Sequence, residues 1–348
     1  MHPALMVIMA LGLLLGTTLA LSTSHWLIAW MGLEINTIAI LPLLANKFHP
    51  RSIEATVKYF LVQAAAASVL LFAVITNAWL TGEWSVELTP HPIASNLMIL
   101  AFAVKLGLAP LHLWMPEVLQ ALDLTTGLIL ATWQKLAPFA LLLYLAPSKS
   151  GLLIGLGLAS ALIGGCGGLN QTQLRKLLAY SSIAHFGWMV LIMQFSPALS
   201  MMTFFLYLLM TAAAFLTFKM ARATTINQLA LSSSKYPILT ALTPLTLLSL
   251  AGLPPLTGFA PKWLIVQELV KQGLPVVATL AIMSALFSLY FYLRLAYAMA
   301  MTLPPNTMAG IPHWRLLPPN ASLPLAAFTA ATLFLLPLTP GLLALMTP

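Results

Sequence analysis

The chain has 348 residues, of which 60% are hydrophobic and 6% charged, and its mean hydropathy is +0.96. A soluble domain carries about 25% charged residues, so too little polar surface is available to cover a water-exposed fold, and an all-α membrane protein is expected. The net charge of +8 comes from basic residues scattered singly between apolar runs, with no patch suited to nucleic acid, and the single cysteine, Cys166, excludes an intramolecular disulfide framework or a thiolate metal cluster.

A helix needs about 20 apolar residues to cross about 30 Å of hydrocarbon. In chain order, runs of this kind cover about 3–21, 26–45, 53–80, 95–121, 124–145, 151–169, 174–195, 198–221, 236–270, 275–301 and 323–345. Eleven spans are therefore expected. A short turn over 22–25 joins the first two. The fourth is interrupted by Pro110 and Pro116, and the ninth is again broken by proline. No polar linker divides the chain, so residues 1–348 read as one membrane domain. Its first half-repeat covers about 3–145, its second about 151–301, and a C-terminal helix follows over 323–345. The first apolar run begins by Pro3 with no basic segment before it, so no cleavable presequence is expected.

Loop charges orient the spans. Lys47, Arg51, Arg175, Lys176, Lys219, Arg222, Lys235 and Arg315 fall on one side, and Lys149 and Lys271 on the other. Lys and Arg accumulate on the side from which segments are inserted, so the N-terminus is expected on the basic side and the C-terminus opposite.

Four charges interrupt the apolar spans: Glu34 in the second, Lys105 in the fourth, Lys135 in the fifth and Lys262 in the ninth. Each costs roughly 2.5–3.5 kcal/mol at a helix centre, about 10 kcal/mol for four if added. Pairing, hydration or partial neutrality is therefore expected. Desolvation disfavours the charge of a buried lysine and a neighbouring carboxylate favours it, so a small change nearby can move a proton. His112, His185, Tyr180, Ser181, Ser182 and Thr132 could carry protons or water between such groups. The competing roles are snorkelling to the interface, locking helices together, or satisfying helix backbone.

The two breaks match. Gly107-Leu108-Ala109-Pro110-Leu111 resembles Gly252-Leu253-Pro254-Pro255-Leu256, and further prolines, Pro116 and Pro261, follow at equal spacing. The offset is an internal repeat of 145 residues. Proline removes a donor and clashes with the carbonyl four residues back, so Pro110 should free the Leu106 carbonyl and Pro255 that of Ala251. In lipid, a freed carbonyl is tolerated only beside protein or water. Interrupted segments at corresponding positions of two halves point to a transport site.

The segments HWLIAWMGLEINTIAILPLL, KYFLVQAAAAS, VKLGLAPLHLWMPEVLQ, TWQKLAP, GLNQTQLRKLLAYSSIAHFGWM and LAGLPPLTGFAPKW give the chain its family resemblance. It resembles the chain 2 family of mitochondrial NADH–ubiquinone oxidoreductase, respiratory complex I, in its animal-type truncated form. The resemblance implies an antiporter-like fold with inverted repeats and two proline-broken helices, in the mitochondrial inner membrane with the N-terminus on the matrix side. It implies a subunit of a proton-translocating NADH:ubiquinone reductase that is not catalytic alone. No cofactor is expected on this chain: NADH, FMN, iron–sulfur clusters and ubiquinone are implied elsewhere in the complex. The implied partners are the other core and accessory subunits of the membrane arm and membrane lipids, with no nucleic acid and no metal.

By motif, Glu34 is implied as the carboxylate paired with Lys105, Lys135 as the central relay lysine, and Lys262 as the lysine near the exit. His185 is implied on the polar axis between the halves, and His112 beside the first break. An independent cation/proton antiporter and a passive scaffold of the membrane arm are the alternatives. Gly164, Gly165, Gly167 and Gly168 point to close helix contact, within the chain or to a neighbour.

Overall fold

The computed structural model describes residues 3–45, 49–145, 151–232, 237–301 and 322–346. Lys47, Lys149, Lys235 and Arg315, four of the charges used above for orientation, lie outside them. The described residues form sixteen α-helices and no named strand. Six of them, and the 124–145 run taken as one, are long and apolar enough to cross a membrane, and a bent pair makes eight among the described residues.

The first three are α1 (Pro3–Ser22), α2 (Trp26–Leu44) and α3 (Pro50–Thr81). The turn over 22–25 is held to the loop after α3 by Trp26 N–H donating to the Trp84 carbonyl (3.0 Å) and Val86 N–H to that of Ser24 (2.8 Å). Then come α4 (Pro92–Leu106), α5 (Trp114–Ala121), α6 (Leu124–Ala131), α7 (Trp133–Leu145) and α8 (Gly151–Gly167). Next come α9 (Leu174–Met193), α10 (Pro197–Ala221), α11 (Ile226–Leu231), α12 (Pro237–Ala251), α13 (Phe259–Lys271) and α14 (Pro275–Met301).

Apolarity sorts these helices by position. α1 has a mean hydropathy of 2.3 and is 22% buried, whereas α9 has 1.3 and is 83% buried. Side chains that face lipid must be apolar, while a helix enclosed by protein can carry Ser181, Ser182 and His185. α8 reaches α9 closely because Gly164 meets the backbone of Ala184, and Gly187 meets that of Ala161. A Cβ at either glycine would collide with main chain, as at small-residue helix crossings in lipid. Gly165, Gly167 and Gly168 similarly abut Ser284, Tyr180 and Phe291, so the glycine cluster of α8 serves contacts within the chain.

Two expected helices are interrupted. The run over 124–145 breaks at Thr132, between α6 and α7. Thr132 Oγ1 donates to the Leu128 carbonyl four residues back (2.7 Å), a bond that bends helices. The Tyr207 hydroxyl donates to the Ala131 carbonyl at the same place (3.1 Å). The C-terminal run is two helices, α15 (Ser322–Phe334) and α16 (Thr339–Met346), bent by 67° about a 3-10 turn at Leu336–Leu338. Pro337 and Pro340 each withhold a backbone donor there.

Candidate functional site

The site is organised by two places where the chain leaves helical geometry. α4 ends at Leu106, and Gly107 turns the chain at φ +75°. α5 starts seven residues later, and its Trp114 Nε1 donates to the Val104 carbonyl (3.1 Å), closing one of the acceptors exposed by the helix end. α12 ends at Ala251, with Gly252 at φ +82° and α13 beginning at Phe259. Here Lys262 Nζ donates to the Ala251 carbonyl at 2.7 Å. The Ala109–Pro110 and Pro254–Pro255 bonds are both cis. Pro116 and Pro261 interrupt nothing: each is the third residue of a new helix, where an amide needs no intrahelical partner. That corrects the expectation for Pro116.

Glu34, on α2, faces Lys105, near the end of α4, with Oε1 and Nζ 3.6 Å apart. Lys105 is buried, and Glu34 keeps 24% of its side-chain exposure. Thr37 Oγ1 donates to the Glu34 carbonyl (2.8 Å) and lies 3.4 Å from Oε2. Behind the pair is a cavity of about 10 Å³ lined by Asn36, Gln63, Lys105, Gln134 and Lys135, among others. That volume holds roughly one water. Both lysines thus border one small polar space.

Lys135 is buried on α7 and forms no ion pair among the described residues. Its Nζ lies 3.4 Å from Ser182 Oγ, 3.6 Å from Met115 Sδ and 4.2 Å from the Phe186 ring centroid. Ser182 in turn approaches Met115 Sδ at 3.4 Å and donates to the Ala179 carbonyl at 2.7 Å. One helical residue away, Ser181 helps to line a second cavity of about 10 Å³ with His185, Lys262, Ser288 and Tyr292. His185 also packs against Tyr207, ring centroids 5.7 Å apart. α9 therefore carries one serine to each side of Lys135's environment, Ser182 toward the lysine and Ser181 toward the second cavity.

Five of the six charged or histidine residues singled out in the sequence fall along this line: Glu34, Lys105, Lys135, His185 and Lys262. His112 stands aside. Its Nδ1 is 3.2 Å from the Pro110 carbonyl, and its ring faces Tyr180 at 6.4 Å. The Thr132 hydroxyl bonds back to its own helix, at the Leu128 carbonyl. Asn36, Tyr59, Gln63, Met115 and Gln134 escaped sequence reasoning. Gln134 Nε2 bonds to the Asn36 carbonyl (3.2 Å) and Oδ1 (3.3 Å), bracing α7 against α2. Thr56, Tyr59 and Gln63 recur at three- and four-residue spacing along α3, a polar stripe that could have been found. Met115 had no sequence signal, because a thioether reads as core packing. Among the described residues no group of three His, Cys, Asp or Glu is placed to hold a metal.

Residues 22–288 match the family described as NADH:quinone oxidoreductase/Mrp antiporter, transmembrane, and residues 289–343 match NADH dehydrogenase subunit 2 C-terminus. The chain is 63% identical over 345 residues to NADH-ubiquinone oxidoreductase chain 2 of Tetraodon nigroviridis, covering 99% of each chain. It is 61% identical over 348 residues to the Salmo salar protein of the same name, covering 100% of each. Among solved structures it is similar to a chain of respiratory complex I from Thermus thermophilus with bound aureothin. There the TM-score is 0.87 and the identity 31%, over 98% of this chain and 79% of that one. A chain of the Mrp complex of Dietzia sp. DQ12-45-1b shares the fold, with a TM-score of 0.85 at 18% identity over 97% of this chain and 76% of that one.

Proposed function

The chain belongs to the NADH-ubiquinone oxidoreductase chain 2 family, and on that premise we propose that it carries protons across the mitochondrial inner membrane along Glu34, Lys105, Lys135, His185 and Lys262. It is a multi-pass subunit of the H⁺-translocating NADH:ubiquinone oxidoreductase. The protons run from the matrix, at the basic side, to the intermembrane space. NADH, FMN, iron–sulfur clusters and ubiquinone belong to other subunits, and electron transfer drives this one from outside.

The observation that carries the reading is the placement of two one-water cavities, the first shared by Lys105 and Lys135 and the second by His185 and Lys262. Ser182 and Ser181 stand between them on α9. A proton needs a hydrogen-bonded path with gaps no longer than a bridging water, and the polar groups are spaced for one. A charge arriving from a neighbouring subunit separates Glu34 from Lys105. The ammonium of Lys105, no longer neutralised, repels positive charge at Lys135, and the proton moves on toward Lys262. His112, beside the first break and facing Tyr180, is left off this path.

The reading includes eleven crossings. α4 with α5, α6 with α7, α12 with α13 and α15 with α16 each make one interrupted crossing. α1, α2, α3, α8, α9, α10 and α14 make the rest. The two interruptions related by 145 residues then occupy equivalent places in inverted half-repeats. Beside it in the membrane arm stand other core subunits, accessory subunits and lipids.

The test is Lys105→Met in the assembled complex. Protons moved per NADH should fall while NADH oxidation by the uncoupled enzyme continues. An unchanged ratio in a fully assembled complex refutes the relay.

A further inference from the structure

A third, larger chamber, open to the surface, adjoins the cavity shared by Lys105 and Lys135, the inner cavity, along α3 and α5. It measures about 440 Å³ and is lined by Arg51, Glu54, Ala55, Lys58, Glu117 and Arg175, with Gln120, Ala121 and Gln173 completing its wall. Lys58 Nζ bridges Glu54 (2.8 Å) and Glu117 (2.9 Å), joining the start of α3 to α5. By the 145-residue repeat, Glu117 occupies in the first half the position held by Lys262 in the second. The two halves thus differ where they should match. In one the position is a half-buried cation bonded to backbone, and in the other an exposed carboxylate on an open chamber.

The two spaces lie end to end along the same pair of helices. On α3 the chamber takes residues 51, 54, 55 and 58, and the inner cavity takes Tyr59 and Gln63. On α5 the chamber takes Glu117, Gln120 and Ala121, and the inner cavity takes Trp114. At the boundary the Tyr59 and Trp114 rings meet edge to face, centroids 5.7 Å apart. Both are buried, and Trp114 is anchored by its bond to the Val104 carbonyl at the first break. Beyond them Gln63 is buried at 4% exposure and lines the inner cavity, where its amide can bond a water.

We propose that the Tyr59–Trp114 ring pair is the door through which protons from the Glu54–Lys58–Glu117 chamber enter the Lys105–Lys135 cavity. The inference deepens the relay reading and rests on it. A carboxylate–lysine–carboxylate triad collects protons from the basic-side water. Two aromatic rings keep that water out of the cavity until they part. The bond from Trp114 to Val104 ties the door to the helix that carries Lys105, so a shift at the Glu34–Lys105 pair moves the door.

The test is thiol accessibility in the assembled complex, held in sealed vesicles of each orientation. Arg51→Cys places a thiol in the chamber, and Gln63→Cys places one beyond the door, roughly 18 Å further along α3. The probe is a charged, membrane-impermeant methanethiosulfonate, with modification of this chain read by mass spectrometry. With the door intact, Arg51→Cys should react about tenfold faster than Gln63→Cys from the basic side, a difference of about 1.4 kcal/mol in access. Adding Trp114→Ala or Tyr59→Ala should raise the Gln63→Cys rate from that side alone. Equal rates at the two thiols with the door intact overturn the proposal, as does reaction of Gln63→Cys from the opposite side only. Neither outcome depends on the door variants assembling. Labelling is independent of pumping, so a complex with this access pattern but a normal proton ratio in Lys105→Met fails the relay and not the door.

Discussion

Lys262 places its ammonium nitrogen 2.7 Å from the carbonyl of Ala251, the last residue of α12, whose carbonyl has no helical donor because the helix ends there at Gly252. One side chain thus serves two needs. The interrupted helix regains a partner for that carbonyl, and the lysine gains an anchor where, among the described residues, no carboxylate pairs with it. A static structural bond of this kind and a proton-carrying role are compatible only if the lysine can release that carbonyl, and this gives the first prediction.

Lys262→Met should leave the Ala251 carbonyl unpaired, at about 1–3 kcal/mol. Thermal inactivation of the complex should begin at lower temperature, and protons moved per NADH should fall. Lys262→Arg restores a donor of similar reach. It should recover the thermal behaviour but not the proton ratio, because guanidinium does not release its proton.

Gly252→Ala tests the geometry that presents the lysine. The residue sits at φ +82°, and an added Cβ would lie 2.8 Å from Lys262 Cδ and 3.1 Å from the Gly258 carbonyl. The left-handed backbone alone costs about 1–2 kcal/mol for a residue with a Cβ. The variant should resemble Lys262→Met in pumping although every ionisable group is retained. Gly155→Ala, where an added Cβ meets nothing within 4 Å, should be silent.

Glu34 and Lys105 should behave as a unit. Removing one partner of a fully buried pair costs about 3–5 kcal/mol, and the residual exposure of Glu34 brings the cost of Glu34→Gln below that range. The combination Glu34→Gln with Lys105→Met should lower the thermal midpoint by less than the two single changes added together. Additive effects would show that the 3.6 Å approach carries no coupling.

Much of this axis was legible in the chain itself. Glu34, Lys105, Lys135 and Lys262 were legible because a charge in an apolar run has few physical explanations. The matched segments that begin at Gly107 and Gly252 marked the two interruptions. The polar lining was not. Gln134 and Asn36 are ordinary residues in any single helix, and only tertiary packing joins them. Thr132 concealed the break between α6 and α7, since threonine bends helices weakly and without a sequence rule. Pro116 misled in the opposite direction, because proline in a first helical turn and proline in a helix interior look alike until the preceding helix is seen to end. His112 sits beside the right break but faces Tyr180, a direction that sequence position does not reveal.

Gly187→Val probes the scaffold under His185. A Cβ at Gly187 would meet the backbone of Ala161 and Gly157, and main chain cannot step aside as a side chain can. Overpacking of this type costs about 1–3 kcal/mol or more. The expected result is a reduced yield of assembled complex, read on native gels. Gly151→Val, whose Cβ position is open, should assemble normally.

The most direct measurement is the number of protons moved per NADH by an assembled complex carrying Lys135→Met. Lys135 forms no ion pair among the described residues, and its polar contacts are Ser182 and Met115, so methionine removes the proton carrier while preserving much of the packing. The relay predicts a lower ratio with uncoupled NADH oxidation maintained. A wild-type ratio would contradict it and leave the buried lysine a structural residue.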